Sequence, residues 1–129
     1  MARKRVASGT EWESKVGYSR AVRVGDRIEV SGTTATDESG EVVGHGDPGE
    51  QARVAIGNVE SALLEAGSGL GDVVRTRLYV TDVDDWEAIG RAHGEAFEDV
   101  GPATTMVEVS GLVDPAMLVE IEAIAVVEE

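Results

Sequence analysis

The run Asp47-Pro48-Gly49-Glu50-Gln51-Ala52-Arg53-Val54-Ala55-Ile56-Gly57-Asn58-Val59-Glu60-Ser61-Ala62-Leu63-Leu64-Glu65-Ala66-Gly67 decides the fold. An aspartate able to cap, a proline at the first helical position and a glutamate three residues past the cap, able to bond back to it, mark a helix start. Apolar residues at 52, 55, 56, 59, 62, 63 and 66 recur at helical spacing, and Gly67 ends the run. A helix with one apolar stripe must bury it against something, and the flanking segments supply strands.

Upstream, Ala21-Val22-Arg23-Val24 and Arg27-Ile28-Glu29-Val30 alternate and are β-branched, and Gly25-Asp26 between them suits a two-residue primed hairpin turn. Gly32 closes the second strand. A polar loop from Thr33 to Asp47 follows, with room for a short strand near Val42-Val43. Downstream, Val73 to Thr81 reads as a strand with Val74, Thr76, Leu78 and Val80 inward and Arg75, Arg77 and Tyr79 on a polar face. The intervening Gly67-Ser68-Gly69-Leu70-Gly71 follows a helix and precedes a strand, the reverse of a dinucleotide loop, so it reads as a helix stop and turn. A second helix is expected to start around Asp82 to Asp85, with Trp86, Ile89, His93 and Phe97 on one stripe and Gly101-Pro102 as its terminator. Thr104–Val109 and Leu118–Val127 close the sheet, with Gly111, Asp114 and Pro115 in the loop between them. The order ββ(β)αβαββ predicts an α+β domain, two helices packed on one mainly antiparallel sheet.

Bulk properties bound the chemistry. The 129 residues are 42% hydrophobic, enough for the core of one domain. Cysteine is absent, which removes disulfides, thiolate metal ligands and a cysteine nucleophile. The start Met1-Ala2-Arg3-Lys4-Arg5 is basic without an apolar core after it, and the longest apolar run, Ala123 to Val127, is too short to span a bilayer. A soluble, cytoplasmic protein with no membrane partner is expected. With 25 acidic against 11 basic residues the net charge is −14, a field that repels phosphate backbones and argues against a nucleic-acid partner. Only Lys4 and Lys15 are lysines. Such a surface fits a halophilic source, where salt screens the self-repulsion, and equally a merely acidic, very soluble protein.

The two histidines, His45 and His93, show no ligand spacing, so no metal is expected. His93 falls on an apolar helical stripe, where a paired, semi-buried imidazole competes with a catalytic one. Glu120 and Glu122 alternate with Val119, Ile121 and Ala123 and so share a strand face with Leu118, Ile124 and Val126. A covered face keeps at least one of these carboxylates in a pocket as a general acid or base; a half-exposed face leaves the pair solvated.

Successive blocks then resemble the Rid family of imine and enamine deaminases in order and over nearly the whole chain from about residue 17. They are Tyr18-Ser19-Arg20-Ala21-Val22, Val30-Ser31-Gly32-Thr33, Gln51 and Asn58, Asp72-Val73-Val74-Arg75-Thr76, Pro102-Ala103-Thr104-Thr105-Met106-Val107-Glu108-Val109, and Val119-Glu120-Ile121-Glu122-Ala123-Ile124-Ala125. The resemblance implies a single Rid-like domain over residues 1–129 with a chorismate-mutase-like fold. It also implies a homotrimer with a central barrel, and ligand clefts between neighbouring subunits. For members carrying the family arginine it implies cofactor-free hydrolysis of imines and enamines, such as 2-iminobutanoate, to ketones and ammonia. There the arginine clamps the substrate carboxylate, and a glutamate at the Glu120 position orients or activates water.

Tyr18, Ser31 and Glu120 match that site pattern. The arginine does not: the family's Pro-Ala-Arg-Ser block is Pro102-Ala103-Thr104-Thr105 here. Threonine carries no charge and one hydroxyl, so it makes no bidentate clamp. Gly90 stands where many members have asparagine, and His93 where tyrosine is usual. The chain thus looks like an arginine-lacking branch. Arg20, where glutamine is common, projects to the same side as Tyr18 if residues 18 to 22 are extended; it is then either a displaced anion contact or a solvent-facing charge. The expected site is Glu120 as the catalytic group, with Tyr18, Arg20, Ser31, Thr104, Thr105, Met106 and His93 around a small ligand bearing a carboxylate. Altered or absent imine hydrolysis is the first expectation, a non-catalytic metabolite-binding or regulatory trimer the second. A ribonuclease or translation inhibitor comes third, against the acidic charge.

Overall fold

The computed structural model describes residues 2–128; Met1, which begins the basic N-terminal run, and Glu129 lie outside the described residues. Nine principal elements follow in order: β1 (Arg3–Val6), α1 (Glu11–Val16), β2 (Ala21–Val24), β3 (Arg27–Thr33), α2 (Pro48–Glu65), β4 (Val73–Val80), α3 (Trp86–Phe97), β5 (Ala103–Glu108) and β6 (Val119–Val126). They form one six-stranded sheet in the order β1-β2-β3-β6-β4-β5. Every neighbouring pair is antiparallel except β4 and β5, which α3 joins as a parallel crossover. The α+β layering is the expected one, with β1 and the short α1 added in a stretch whose pattern carried no periodic signal.

Helix α2 forms as its sequence dictates. Asp47 accepts the Glu50 backbone N–H at 3.0 Å, and Pro48 opens the first turn. Residues 52, 55, 56, 59, 62, 63 and 66 are all buried. The Glu50 side chain, expected to return to the cap, instead pairs with Arg53 at 3.3 Å, because the Asp47 N–H is already taken by the Gly44 carbonyl. At the other end Ser68 N–H donates to Leu63 and Gly67 N–H to Leu64, with Gly67 at φ 85°, the left-handed cap that glycine tolerates. Lys4 and Arg23 donate to the last carbonyls, where cations complement the helix dipole.

Beneath α2 and α3 lie alternate residues of the sheet: Ile28 and Val30, Thr76, Leu78 and Val80, and Val119, Ile121, Ala123 and Ala125, all buried. The hairpin turn has Gly25 at φ 63° and joins Val24 to Arg27 directly, as read.

Other details differ from the sequence reading. Val74 is exposed and Val73 buried, because the pairing of β4 with β6 advances two residues (Val73 to Arg75) against one (Ala125 to Ile124); Val74 is the extra residue of a bulge. Trp86 is 58% exposed and leaves the α3 stripe, since Val83–Asp85 forms a separate 3₁₀ turn that reorients the helix start. Strand β3 continues through Thr33, and the suggested strand at Val42-Val43 reduces to one bridge between Thr36 and Val42. No helix among the described residues is long and apolar enough to cross a membrane.

Candidate functional site

A second bulge builds the site. Along β3 the pairing advances three residues, Val30 to Thr33, while β6 advances two, Ala123 to Ile121. The extra residue falls at Ser31-Gly32 and bends the strand, the device by which bulges re-aim groups beside functional sites. Ser31 is held by its Oγ donating to Ser19 O at 2.7 Å and its N–H to Arg20 O at 2.9 Å. Gly32 presents its bare Cα to Glu120: a Cβ there would lie 2.7 Å from the Glu120 carboxyl carbon and Oε2.

Arg20 locks the bulge. It is not the solvent-facing charge considered from sequence but 9% exposed. Its guanidinium donates to Gly32 O at 2.6 Å, Thr33 Oγ1 at 2.9 Å and Tyr18 Oη at 3.1 Å, and sits 5.4 Å from the Tyr18 ring centre. Arg20 Nε is buried without a hydrogen-bond partner and faces Glu13 Oε2 at 4.0 Å. Glu13, on α1, is itself buried and accepts Ser8 N–H at 3.0 Å, Thr10 Oγ1 at 2.9 Å and the Ser8 hydroxyl. Burial alone would raise the Glu13 carboxyl; the hydrogen bonds from Ser8 and Thr10 and the Arg20 charge outweigh it and hold it below the usual range. Sequence reading missed Glu13 because a lone glutamate in a polar stretch gives no sign of burial.

Glu120 is half-buried. Burial raises its carboxyl above the ordinary value, the Arg20 charge opposes that rise and Glu122 adds to it. Its neighbour on the strand face, Glu122, is tied down by Tyr79 Oη at 2.8 Å and Arg77 at 3.3 Å. The two carboxylates therefore part ways: one is paired, the other faces open space. That space is a cleft of about 990 Å³, lined among others by Tyr18, Arg20, Gly32, Asn58, Met117 and Glu120. Behind the lining residue Met117, buried Gln51 fixes the chain by donating to Ala116 O and accepting Leu118 N–H, each at 2.8 Å, while Asn58 holds the carbonyls of Thr34 and Thr36. The cleft carries the carboxylates of Glu11, Asp37, Glu38, Glu65 and Glu120 against the single, internally bonded Arg20.

The remaining expected residues lie elsewhere in the chain. Thr104 and Met106 pair with Thr76 and Leu78, so they stand on the helix-covered side of the sheet; Glu120 pairs with Tyr79 and stands on the other. Thr104 is exposed, and its Oγ1 lies 2.8 Å from Thr76 Oγ1 and donates to Pro102 O at 3.1 Å. Thr76 Oγ1 is in turn 2.9 Å from His93 Nε2. His93 is thus a paired imidazole, tilted against Phe97 at 4.6 Å, and burial lowers its pKa, favouring the neutral ring. Thr105 accepts from Arg75 at 2.7 Å. Within one chain the structure brings Tyr18, Arg20, Ser31 and Glu120 together and leaves Thr104, Thr105, Met106 and His93 on and behind β5.

An α+β sheet with this bulge and cleft defines a class, and comparison with known proteins identifies it. The profile of the family described as Endoribonuclease L-PSP matches residues 9–127. The chain belongs to this family, the Rid or YjgF proteins. It is 44% identical over 119 residues to an uncharacterized protein of Streptomyces coelicolor, covering 92% of this chain and 88% of that one. It is 34% identical over 108 residues to the 3-aminoacrylate deaminase RutC of Acinetobacter baylyi, covering 84% and 85%. Among solved structures, a Mycobacterium tuberculosis member of the YjgF/YER057c/UK114 family superposes with a TM-score of 0.89 at 48% identity, covering 98% of this chain and all of the other.

Proposed function

We propose that this protein is a cytoplasmic, cofactor-free homotrimer of an arginine-lacking Rid branch. Its cleft is completed by a neighbouring copy and holds a small imine or enamine, whose proton Glu120 handles. The observation that carries this reading is Glu120 itself: a half-buried carboxylate raised by burial above its ordinary value, set against a glycine bulge and lining a cleft. A raised carboxylate suits general acid–base work: it takes one proton from water as the oxygen adds to the C=N carbon and returns it to nitrogen, giving a carbinolamine, and then carries the carbinol hydroxyl proton to nitrogen as the C–N bond breaks, so that ketone and ammonia leave. Tyr18 and Arg20 hold that carboxylate's surroundings, Arg20 as a positioning cation whose hydrogen bonds go inward. The deaminase activity named for the Acinetobacter relative supports this class of reaction. That Thr104 and Glu120 stand on opposite sides of one sheet supports a cleft shared between copies, where the β5 edge of one chain meets the Glu120 face of the next.

Arg20 and Thr104 both spend their polar atoms internally, and this favours a second reading, a trimer that binds a metabolite without turning it over. Ammonia release from freshly generated 3-aminoacrylate and 2-iminobutanoate, with wild type and Glu120→Gln, separates the two. Turnover lost in Glu120→Gln supports the deaminase; saturable binding with no turnover in either supports the binding trimer. A nuclease finds little support in a cleft with five carboxylates and one engaged arginine, which repels a phosphodiester.

A further inference from the structure

Helix α1 is inverted for a surface helix. Trp12 and Val16 lie four residues apart and so share one face, yet Trp12 is 38% and Val16 71% exposed, while Glu13 beside the indole is buried. Hydrophobicity alone would bury the indole and the valine and leave the carboxylate in water. The partners of Glu13 decide otherwise: it accepts from Ser8 N–H and Thr10 Oγ1 and faces the buried Arg20 Nε at 4.0 Å, and a buried charge requires such partners. Both apolar side chains of α1 consequently line the same cleft as Glu120. Val6, Ala62, Val113 and Met117 line it too, so apolar groups from four separate segments of the chain meet in one cavity. Lys15, the long cation of the helix, is held by Glu11 at 3.1 Å and comes only to 6.0 Å from the indole centre.

We propose that α1 is the specificity wall of the cleft: Trp12 and Val16 receive an uncharged, apolar tail of the ligand whose reacting group lies at Glu120, and Glu13 is the positioning residue that presents them. This deepens the proposed function by naming a substituent that the substrate bears, and it rests on the reading that a small ligand occupies the Glu120 cleft. Apolar groups left exposed on a concave wall mark a binding groove rather than a flat contact patch. The cleft, at about 990 Å³, lies at the upper end of the roughly 300–1,000 Å³ of small-molecule sites, which leaves room beyond the atoms that react. One continuous cavity lined by both the Glu120 carboxylate and the apolar wall assigns the two to a single occupant. Glu13 touches no part of that occupant; it acts by turning its helix, so that the face carrying Trp12 and Val16 is spent on the cleft and not on the core.

The test is titration of the full-length ¹⁵N-labelled protein with acetamide, n-butanamide and n-hexanamide, neutral probes that share one head and differ in tail, followed by amide and indole N–H shifts. Burying a methylene is worth about fourfold in affinity, so each probe is expected to bind roughly 15-fold more tightly than the one before. Of the two indole resonances, that of Trp12 is expected to move with the longer tails, and that of Trp86, which does not line the cleft, to stay. Trp12→Ala removes an exposed side chain and is expected to cut each step to roughly fourfold, with acetamide unaffected. Glu13→Gln is expected to shift the Trp12 indole without any probe and to flatten the steps in the same way while Trp12 is still present, a split that a merely structural role would not produce. Affinity that does not rise with tail length in wild type, steps that survive Trp12→Ala or Glu13→Gln, or a Trp12 resonance that answers to dilution of the protein and not to the probes overturns the proposal; the last result would give the wall to a second copy of the chain. Ammonia release by wild type reports separately on the deaminase reading, which can fail while the unreactive amides still bind in order of length.

Discussion

Replacing Gly32 by alanine isolates the contact on which the Glu120 reading depends. Gly32 does not need a left-handed backbone, since it is absent from the glycines with positive φ, so alanine fits its conformation and restricts the unfolded chain. That restriction stabilises by about 0.4–1 kcal/mol. Against it, the new Cβ would lie 2.7 Å from Glu120 Cδ and Oε2 and 3.1 Å from Cγ, closer than carbon atoms pack. The atoms in the way are the far end of a flexible side chain, so Glu120 yields by rotating into the open cleft, at a strain of roughly 0.5–1.5 kcal/mol if it leaves its rotamer. The two effects nearly cancel, and urea denaturation is expected to place Gly32→Ala within about 1 kcal/mol of wild type. The function of Glu120 changes far more. Moved toward solvent, its carboxyl loses the burial that raises it and titrates closer to the ordinary carboxylate value, which ¹³C NMR of the carboxyl follows without any substrate. A displacement of about 1 Å in a reacting group lowers turnover roughly 10²-fold where turnover exists. A folded Gly32→Ala protein whose Glu120 titrates as in wild type would refute the reasoning, as would a loss of stability of several kcal/mol.

Further perturbations test the rest of the site. Because Glu120 is raised in the folded protein, folding binds its proton more tightly, and stability from this group falls as pH rises from the unfolded value through the folded one; Glu120→Gln is expected to raise the denaturation midpoint at pH 8 and to lose that difference at acid pH. Glu13 runs the other way: its contribution is complete above the ordinary carboxylate range and is lost as pH falls through its lowered folded value. Glu13→Gln removes the charge facing buried Arg20 Nε and is expected to cost about 3 kcal/mol in urea unfolding at pH 7. Gly67→Ala puts a side chain at φ 85°, and its Cβ would press to 2.9 Å on the Arg23 guanidinium, so a loss of about 1–2 kcal/mol is expected by thermal melting.

What could be read from the sequence follows from how local each signal is. Helix α2 carries its cap, stripe and stop within one stretch, and every apolar position named for it is buried. The β2–β3 hairpin is equally local. The misreadings are places where a partner strand or another segment decides. Val73 and not Val74 faces inward because the pairing with β6 makes Val74 the extra residue of a bulge, which their own sequence does not signal. Helix α1 leaves Trp12 and Val16 exposed and buries a glutamate, the inverse of an amphipathic pattern. The site divides likewise. Glu120 stood out as a carboxylate in an apolar strand, whereas the inward turn of Arg20 depends on carbonyls and hydroxyls twelve and thirteen residues away that no spacing rule connects to it.

The position of β5 bears on how the protein behaves in bulk. It is an edge strand, with Ala103, Thr104, Thr105, Val107 and Glu108 exposed, and no other strand among the described residues pairs along its far side. An open margin of this kind invites another polypeptide, and natural proteins shield it with a neighbour or with charge. If a sister chain supplies the shield, mass action ties folding to assembly, and the melting temperature climbs with protein concentration until the strand is fully covered. Dilution would then loosen first the margin that bears Thr104, making abundance in the cell a determinant of whether the site exists at all.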